Sequence, residues 1–391
     1  YEMLAVEAIV EQNRDKALRA LMANLLVRDF NQAKGILDAV WPETRPSATR
    51  VQARPEAPGQ LKLPTLHYGD RLLESLSVPE ADFALVTMDE PWELARDRLA
   101  AQPRAIAFVR ELDWYQLEAL ERSLPEVSAI LGLGGGTPTD AAKYVAWRRH
   151  LPVDVIPSIT SVDAAVTKSV AARSGGHVTY IGHIVPRDVF VDTALIAAAP
   201  PRLNRSGVGD ILCAHTALWD WKLAHDHRGA RYDPDAVAAM HDWLARILAG
   251  ASDIRAVTPA GVRLVMEAFE DISVICRRCG SSRPQEASDH TFAYNAEFQT
   301  KRSFLHGELV GLGTFVMASL QENDPEWLLD AYEKTGLLWQ PRDIGLTQEE
   351  FVKILRTLNG YQKNFGRRYS ILDETPIPEA FIEAIVSRRA F

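Results

Sequence analysis

Apolar runs of strand length alternate with amphipathic stretches through the middle of this chain. The runs are "DFALVTM" (82–88), "AIAFV" (105–109), "VSAILGLG" (127–134) and "VDVIPS" (153–158). Between them, "ELARDRLAA", "WYQLEALERSL" and "TDAAKYVAWRR" carry apolar residues at helical spacing. That alternation predicts parallel βαβ units. From about Pro200 onward the helical period continues almost without a break. The expected architecture is an α/β domain over residues 61–199 and an all-α domain over 200–391, with the functional crevice between them. Upstream, residues 1–41 read as an appended helical segment, with Leu18, Leu21, Met22, Leu25 and Leu26 at helical spacing. Residues 42–60, rich in proline and polar side chains, read as a linker.

At 391 residues the chain is too long for one simple core, which agrees with that division. A formal net charge of -9 argues against nucleic acid or an anionic membrane as the main partner, while leaving room for a locally basic pocket. No uninterrupted apolar run reaches the length of about 18 residues that a membrane span requires. Three cysteines, Cys213, Cys276 and Cys279, give no disulfide framework, so a cytoplasmic protein is expected. "CRRC" at 276–279 has no second cysteine pair and reads as two helix thiols rather than a metal clasp.

Candidate chemistry begins at "ILGLGGGTPTDAAK", where Gly132, Gly134, Gly135 and Gly136 lie between a predicted strand and a predicted helix. Thr137 is placed to cap that helix, and Pro138 suits its first turn. Glycines let backbone approach a pyrophosphate closely, and a helix start offers it free N–H groups. The α/β part is therefore a Rossmann-like dinucleotide domain, although the glycines are contiguous rather than spaced as GxGxxG. Further on, "RSGVGDILCAHTALWDWKLA" puts Asp210 at or near a predicted helix start, where an aspartate also serves as an ordinary N-cap. In "SDHTFAYNAEFQTKRSFLHGELVGLG", His290 and His306 each head a predicted helix. Together, two imidazoles and one carboxylate suit a borderline ion with open coordination positions. Such an ion polarises an alcohol or carbonyl oxygen, which fits a neighbouring dinucleotide loop.

From about residue 60 to the end, the chain resembles the superfamily of iron-containing alcohol dehydrogenases, glycerol dehydrogenase and 3-dehydroquinate synthase. The resembling stretches are "GLGGGTPTDAAK", "PSITSVDAAVT", "VDTALIAAAPPRLNRSGVGD", "HTALWDWKLA", "SSRPQEASDH", "LHGELVGLGT" and "RRYSIL", in the family's order. The match is nearest to the sn-glycerol-1-phosphate dehydrogenase branch. The resemblance implies a dehydroquinate synthase-like fold and makes Asp210, His290 and His306 ligands of one divalent ion, zinc first, iron or nickel otherwise. It puts Gly134, Gly135, Gly136, Thr137 and Pro138 under the phosphates of NAD or NADP. Ser158, Ile159, Thr160 and Ser161 would lie beside the nicotinamide and ribose, with Thr167 a further cofactor contact. Asp163 matches a substrate-contacting aspartate, and Asp210 would face the substrate as well as the ion.

Two departures fall where the resemblance places substrate. "SVDAAVTKS" replaces the branch's "SHDG" and following proline, leaving Val162, Ala164 and Lys168 there. Tyr294 stands where the branch carries a histidine one helical turn after His290. A phenol cannot become cationic, so a less positive pocket is expected, with dihydroxyacetone phosphate and sn-glycerol 1-phosphate both poor substrates. Lys168 offers charge to a phosphate or carboxylate. The expected activity is a metal-dependent, NAD(P)-linked dehydrogenase of a small polyol or polyol phosphate, acting as a homo-oligomer. The alternative is a cyclase of the dehydroquinate synthase type that uses NAD transiently, and a third reading is a scaffold without chemistry. Choice between NAD and NADP is expected to rest on "FVRELDW", through Glu111 or Asp113 against Arg110.

Overall fold

The computed structural model describes residues 61–78, 82–174 and 177–387. The helical segment expected over 1–41 and the linker over 42–60 lie outside the described residues. The described residues form one compact unit.

Six parallel strands make its sheet: β1 (Thr65–Gly69), β2 (Phe83–Thr87), β3 (Ala105–Phe108), β4 (Ala129–Gly134), β5 (Val153–Pro157) and β8 (Asp188–Asp192). Their spatial order is β1-β8-β5-β4-β2-β3. β6 (Ser169–Ser174) and β7 (His177–His183) form a separate antiparallel hairpin. Helices α1 (Asp89–Ala95), α2 (Trp114–Ser123) and α3 (Gly136–Arg149) connect the successive parallel strands. The inner strands β2, β4 and β5 are buried along their whole length, as expected of a parallel sheet covered on both faces. Alternate residues feed two cores. Ala84, Val86, Ile130 and Val155 face one side, and Leu85, Leu131, Leu133 and Ile156 the other.

Beyond β8 the described chain is helical. It runs through α4 (Thr193–Ala198), α5 (Pro201–Leu212), α6 (Ala214–Arg228), α7 (Pro234–Ala249), α8 (Ala251–Ala256) and α9 (Pro259–Cys279). Then follow α10 (Ser288–Thr300), α11 (His306–Gln321), α12 (Pro325–Thr335), α13 (Gln348–Asn364), α14 (Ile371–Glu374) and α15 (Glu379–Ile385). The first of the two cores continues from the sheet into these helices through Val208, Ile211, Phe269 and Phe292. No described helix is long and apolar enough to cross a membrane.

Candidate metal and dinucleotide site

The chain turns back across the sheet between β3 and β4, and β4 ends on the glycine run beside this crossing. Ligands of open α/β sheets bind at such switch points, outside the carboxyl ends of the strands. Gly134 has φ +141, and a Cβ there would stand 2.3 Å from Pro138 Cγ. Added Cβ atoms would meet Ile159 Cδ1 at 2.7 Å from Gly135 and Val162 Cγ2 at 2.9 Å from Gly136. The expected cap is corrected: Gly135 occupies the N-cap of α3, and no side chain bonds its first turn. Thr137 lies inside the helix. The first amides thus remain available to an anion.

The loop after β5 closes over this run. Ser158 N donates to Gly134 O at 3.1 Å. Thr160 N donates to Asn204 Oδ1 at 3.0 Å, and Thr160 Oγ1 to Asn204 O at 3.0 Å. Ser158, Thr160 and Ser161 are buried and Ile159 is half-buried. Thr167 donates its backbone N–H to Asp163 O, closing the turn that carries Asp163.

The expected cofactor-choosing residues are not in place. β3 is an edge strand, with β2 between it and β4. Asp113 caps α2 by accepting from Tyr115 N at 2.9 Å, and Glu111 accepts from Gln116 Nε2 at 3.4 Å. The glycine strand β4 pairs instead with β2 on one side and β5 on the other.

Asp210, His290 and His306 come together. His290 Nε2 lies 3.3 Å and His306 Nε2 3.6 Å from Asp210 Oδ1. The imidazole centroids are 5.3 Å apart. Asp210 Oδ1 is buried and takes no hydrogen bond. Ligands about 2.1 Å from a tetrahedral ion stand roughly 3.4 Å from one another, so these separations and the unpaired oxygen fit a divalent cation.

Asp289, which sequence reasoning missed, fixes the first imidazole. Its Oδ1 takes a hydrogen bond from His290 Nδ1 at 2.5 Å, and its Oδ2 takes one from Thr216 Oγ1 at 3.0 Å. A proton held on Nδ1 leaves the Nε2 lone pair facing Asp210. Cys213 also brings its sulfur within 4.8 Å of the Asp210 and His290 donor atoms. That thiol donates toward Asp210 O at 3.2 Å and Gln285 O at 3.0 Å. Burial, then Asp289 and Asp210, push its pKa well up.

The helix carrying Asp210 corrects another expectation. Asp210 sits in the last turn of α5, not at a helix start. The glycines before it serve a crossing instead of a break. A Cβ on Gly209 would fall 1.9 Å from Gly307 O, and one on Gly307 would fall 1.8 Å from Ser206 O. α5 and α11 therefore touch backbone to backbone between Asp210 and His306. Arg202 locks the same crossing, binding both Glu308 oxygens at 2.7 Å. A Cβ on Gly207 would fall 1.9 Å from Thr160 O, so α5 presses equally on the loop after β5.

Asp163 opens a short 3-10 turn (Asp163–Ala165), held from below by buried Lys143, whose Nζ donates to Ala164 O at 2.9 Å. Burial, helped by the Asp210 charge, pushes the Asp163 carboxyl up to about 7. Lys168 precedes β6, and its carbonyl accepts from Ile184 N at 2.8 Å. Tyr294 shares a face of α10 with His290, their rings 6.0 Å apart. Arg367 Cζ lies 4.3 Å over the Tyr294 ring, and its Nη2 donates to Glu286 Oε1 at 2.9 Å, so the cation beside the phenol is paired with a carboxylate.

A model of the iron-containing alcohol dehydrogenases matches residues 71–200. Glycerol-1-phosphate dehydrogenase (NAD(P)+) of Thermoplasma volcanium is 30% identical over 314 residues, covering 78% of this chain and 88% of that protein. The chain belongs to the iron-containing alcohol dehydrogenase family. A Sulfolobus acidocaldarius protein with the same name is 33% identical over 69% of this chain and 76% of its own. A probable glycerol dehydrogenase from Sinorhizobium meliloti superposes with TM-score 0.63 at 22% identity, covering 84% of this chain and 97% of that one. At that identity the likeness speaks for the fold alone.

Proposed function

We propose that this family member is a metal-dependent, NAD(P)-linked dehydrogenase of a polyol phosphate, with glycerol 1-phosphate as the first candidate on its relatives' names, against the poor fit expected from Tyr294 alone. The observation that carries the reading is Asp210 Oδ1, a buried acceptor with no hydrogen bond, facing two imidazole nitrogens. Its relatives' names support the substrate class and the nicotinamide cofactor. Asp210, His290 and His306 would hold the ion. Cys213 is left out because its S–H is committed to two carbonyls. Two imidazoles and a carboxylate suit zinc, with iron or nickel as the other candidates.

A bound ion supplies Lewis acidity toward a substrate oxygen, and the dinucleotide supplies a hydride acceptor. This chain's residues do the positioning. Gly134, Gly135, Gly136 and the first amides of α3 would cradle the pyrophosphate, and Ser158, Ile159, Thr160, Ser161 and Thr167 would line the nicotinamide side. Asp289 keeps a proton on His290 Nδ1. Asp163 would orient a substrate hydroxyl, with Lys168 between that turn and β6. A homo-oligomer belongs to this reading, and sedimentation tests it.

The test is oxidation of sn-glycerol 1-phosphate with NAD+ and NADP+ in zinc-loaded protein. Turnover is expected in the wild type, and His306→Ala should lose most of its zinc on dialysis. Wild-type zinc content in that variant would sink the ligand assignment. With a seven-carbon keto-acid sugar phosphate in place of glycerol 1-phosphate, release of inorganic phosphate with no net nicotinamide reduction would instead mark the cyclase.

A further inference from the structure

Just before α14 lies an arginine that the chemistry above does not use. Arg367 is largely buried, its side chain 15% exposed. Two contacts set its plane: the Tyr294 ring 4.3 Å from Cζ, and Glu286 Oε1, which accepts from Nη2 at 2.9 Å. Its Nε is sealed from solvent and finds no acceptor. Nη1 also has no partner among the described residues, yet it is not sealed. Glu286 is shared, since its Oε2 accepts from Ser282 Oγ at 2.7 Å. A second guanidinium, Arg368, reaches the same turn through Ser281 Oγ at 2.8 Å. Arg367 pairs with the carboxylate beside Tyr294, and the second guanidinium adds charge to the same turn. That ring lies next to the imidazole of His290.

A guanidinium held flat on an aromatic face and by one carboxylate is pre-organised, so little freedom remains to be lost when a ligand binds. Its open N–H suits the oxygens of a phosphate monoester. An uncharged polyol gains nothing comparable from a cation. We infer that Arg367, seated on Tyr294, is the anion hook that holds the substrate's phosphate while its hydroxyl end reaches the Asp210, His290 and His306 site. This rests on the dehydrogenase reading above. Tyr294 is then the platform that carries the positive charge, rather than a residue that removes it.

The probe is inorganic phosphate, titrated calorimetrically into zinc-loaded protein saturated with NAD+. The wild type should bind it, Arg367→Leu at least about 10-fold more weakly, and Arg367→Lys in between because charge remains but the fork is lost. Bound zinc and thermal midpoint establish that each variant is folded. In turnover, Arg367→Leu should raise the KM for sn-glycerol 1-phosphate about 100-fold, with kcat changed far less. Wild-type phosphate affinity in folded Arg367→Leu overturns the hook, as does a wild type that binds no phosphate. If the wild type oxidises sn-glycerol 1-phosphate and Arg367→Leu leaves its KM unchanged, the hook fails and the dehydrogenase reading stands. If phosphate binding depends on Arg367 but no polyol phosphate is oxidised, the hook stands and the dehydrogenase reading fails.

Discussion

A ligand histidine is only as good as the group behind it. His290 is the first imidazole of the site, and Asp289, its neighbour in sequence, holds its Nδ1 at 2.5 Å. Neighbours along a helix do not ordinarily face each other, so "SDH" gave no sign of this pairing. The contact arises because both residues lie in the first turn of α10, where Asp289 Oδ1 also takes the His290 amide at 2.7 Å. Asp289→Asn keeps the shape but weakens the acceptor and frees the imidazole to change tautomer. Zinc affinity should fall about 10–100-fold, the usual cost of losing such a partner. Competition with a chelator measures it, and wild-type affinity would leave Asp289 a purely structural residue. Arg367 and Asp220 were illegible for a similar reason. Both lie in stretches quoted for their resemblance, "RRYSIL" and "TALWDW", whose partners only the fold brings near.

Among elements, the alternation of apolar runs and amphipathic stretches was legible because an inner parallel strand must be apolar on both faces. The glycine loop was legible because three successive glycines exceed what a turn requires. Helix α5 departs from expectation at its end: "SGVGD" looks like a break in sequence, and only the crossing partner explains its glycines. Gly209→Ala puts a methyl 1.9 Å from Gly307 O, and Gly307→Ala puts one 1.8 Å from Ser206 O. Backbone cannot yield as a side chain does, so each should cost at least about 1–3 kcal/mol and part Asp210 from His306. Lower denaturation midpoints together with lost zinc are expected. Gly360 is the contrast, an exposed glycine inside α13 with nothing within 4 Å of an added Cβ. Gly360→Ala should stabilise by about 0.5–1 kcal/mol and leave zinc untouched. Equal effects at Gly209 and Gly360 would refute the crossing argument.

At the scale of the whole molecule, the site depends on segments far apart in the chain being tied at one buried point. Asp220, in α6, is that point. Its Oδ2 accepts from Ser288 N at 3.1 Å and from the Ser288 hydroxyl, and its Oδ1 accepts from Ile371 N at 2.8 Å. Ser288 starts the helix that bears His290 and Tyr294, and Ile371 follows the segment that bears Arg367. One carboxylate thus sets the ion site and the proposed phosphate hook against each other. Asp220→Ala would strand three buried donors, each worth about 1–3 kcal/mol when left unpaired. Unfolding free energy should drop by roughly 3 kcal/mol or more, read from urea midpoints. Asp220→Glu keeps the charge but cannot serve both amides from the longer stem, and should fall between. Because both ends of the tie move, zinc affinity and the KM for a phosphorylated substrate should worsen together in any variant that still folds. A folded Asp220 variant in which only one of the two changes would show that the helix starts are held independently, and that α6 is a bystander to the site.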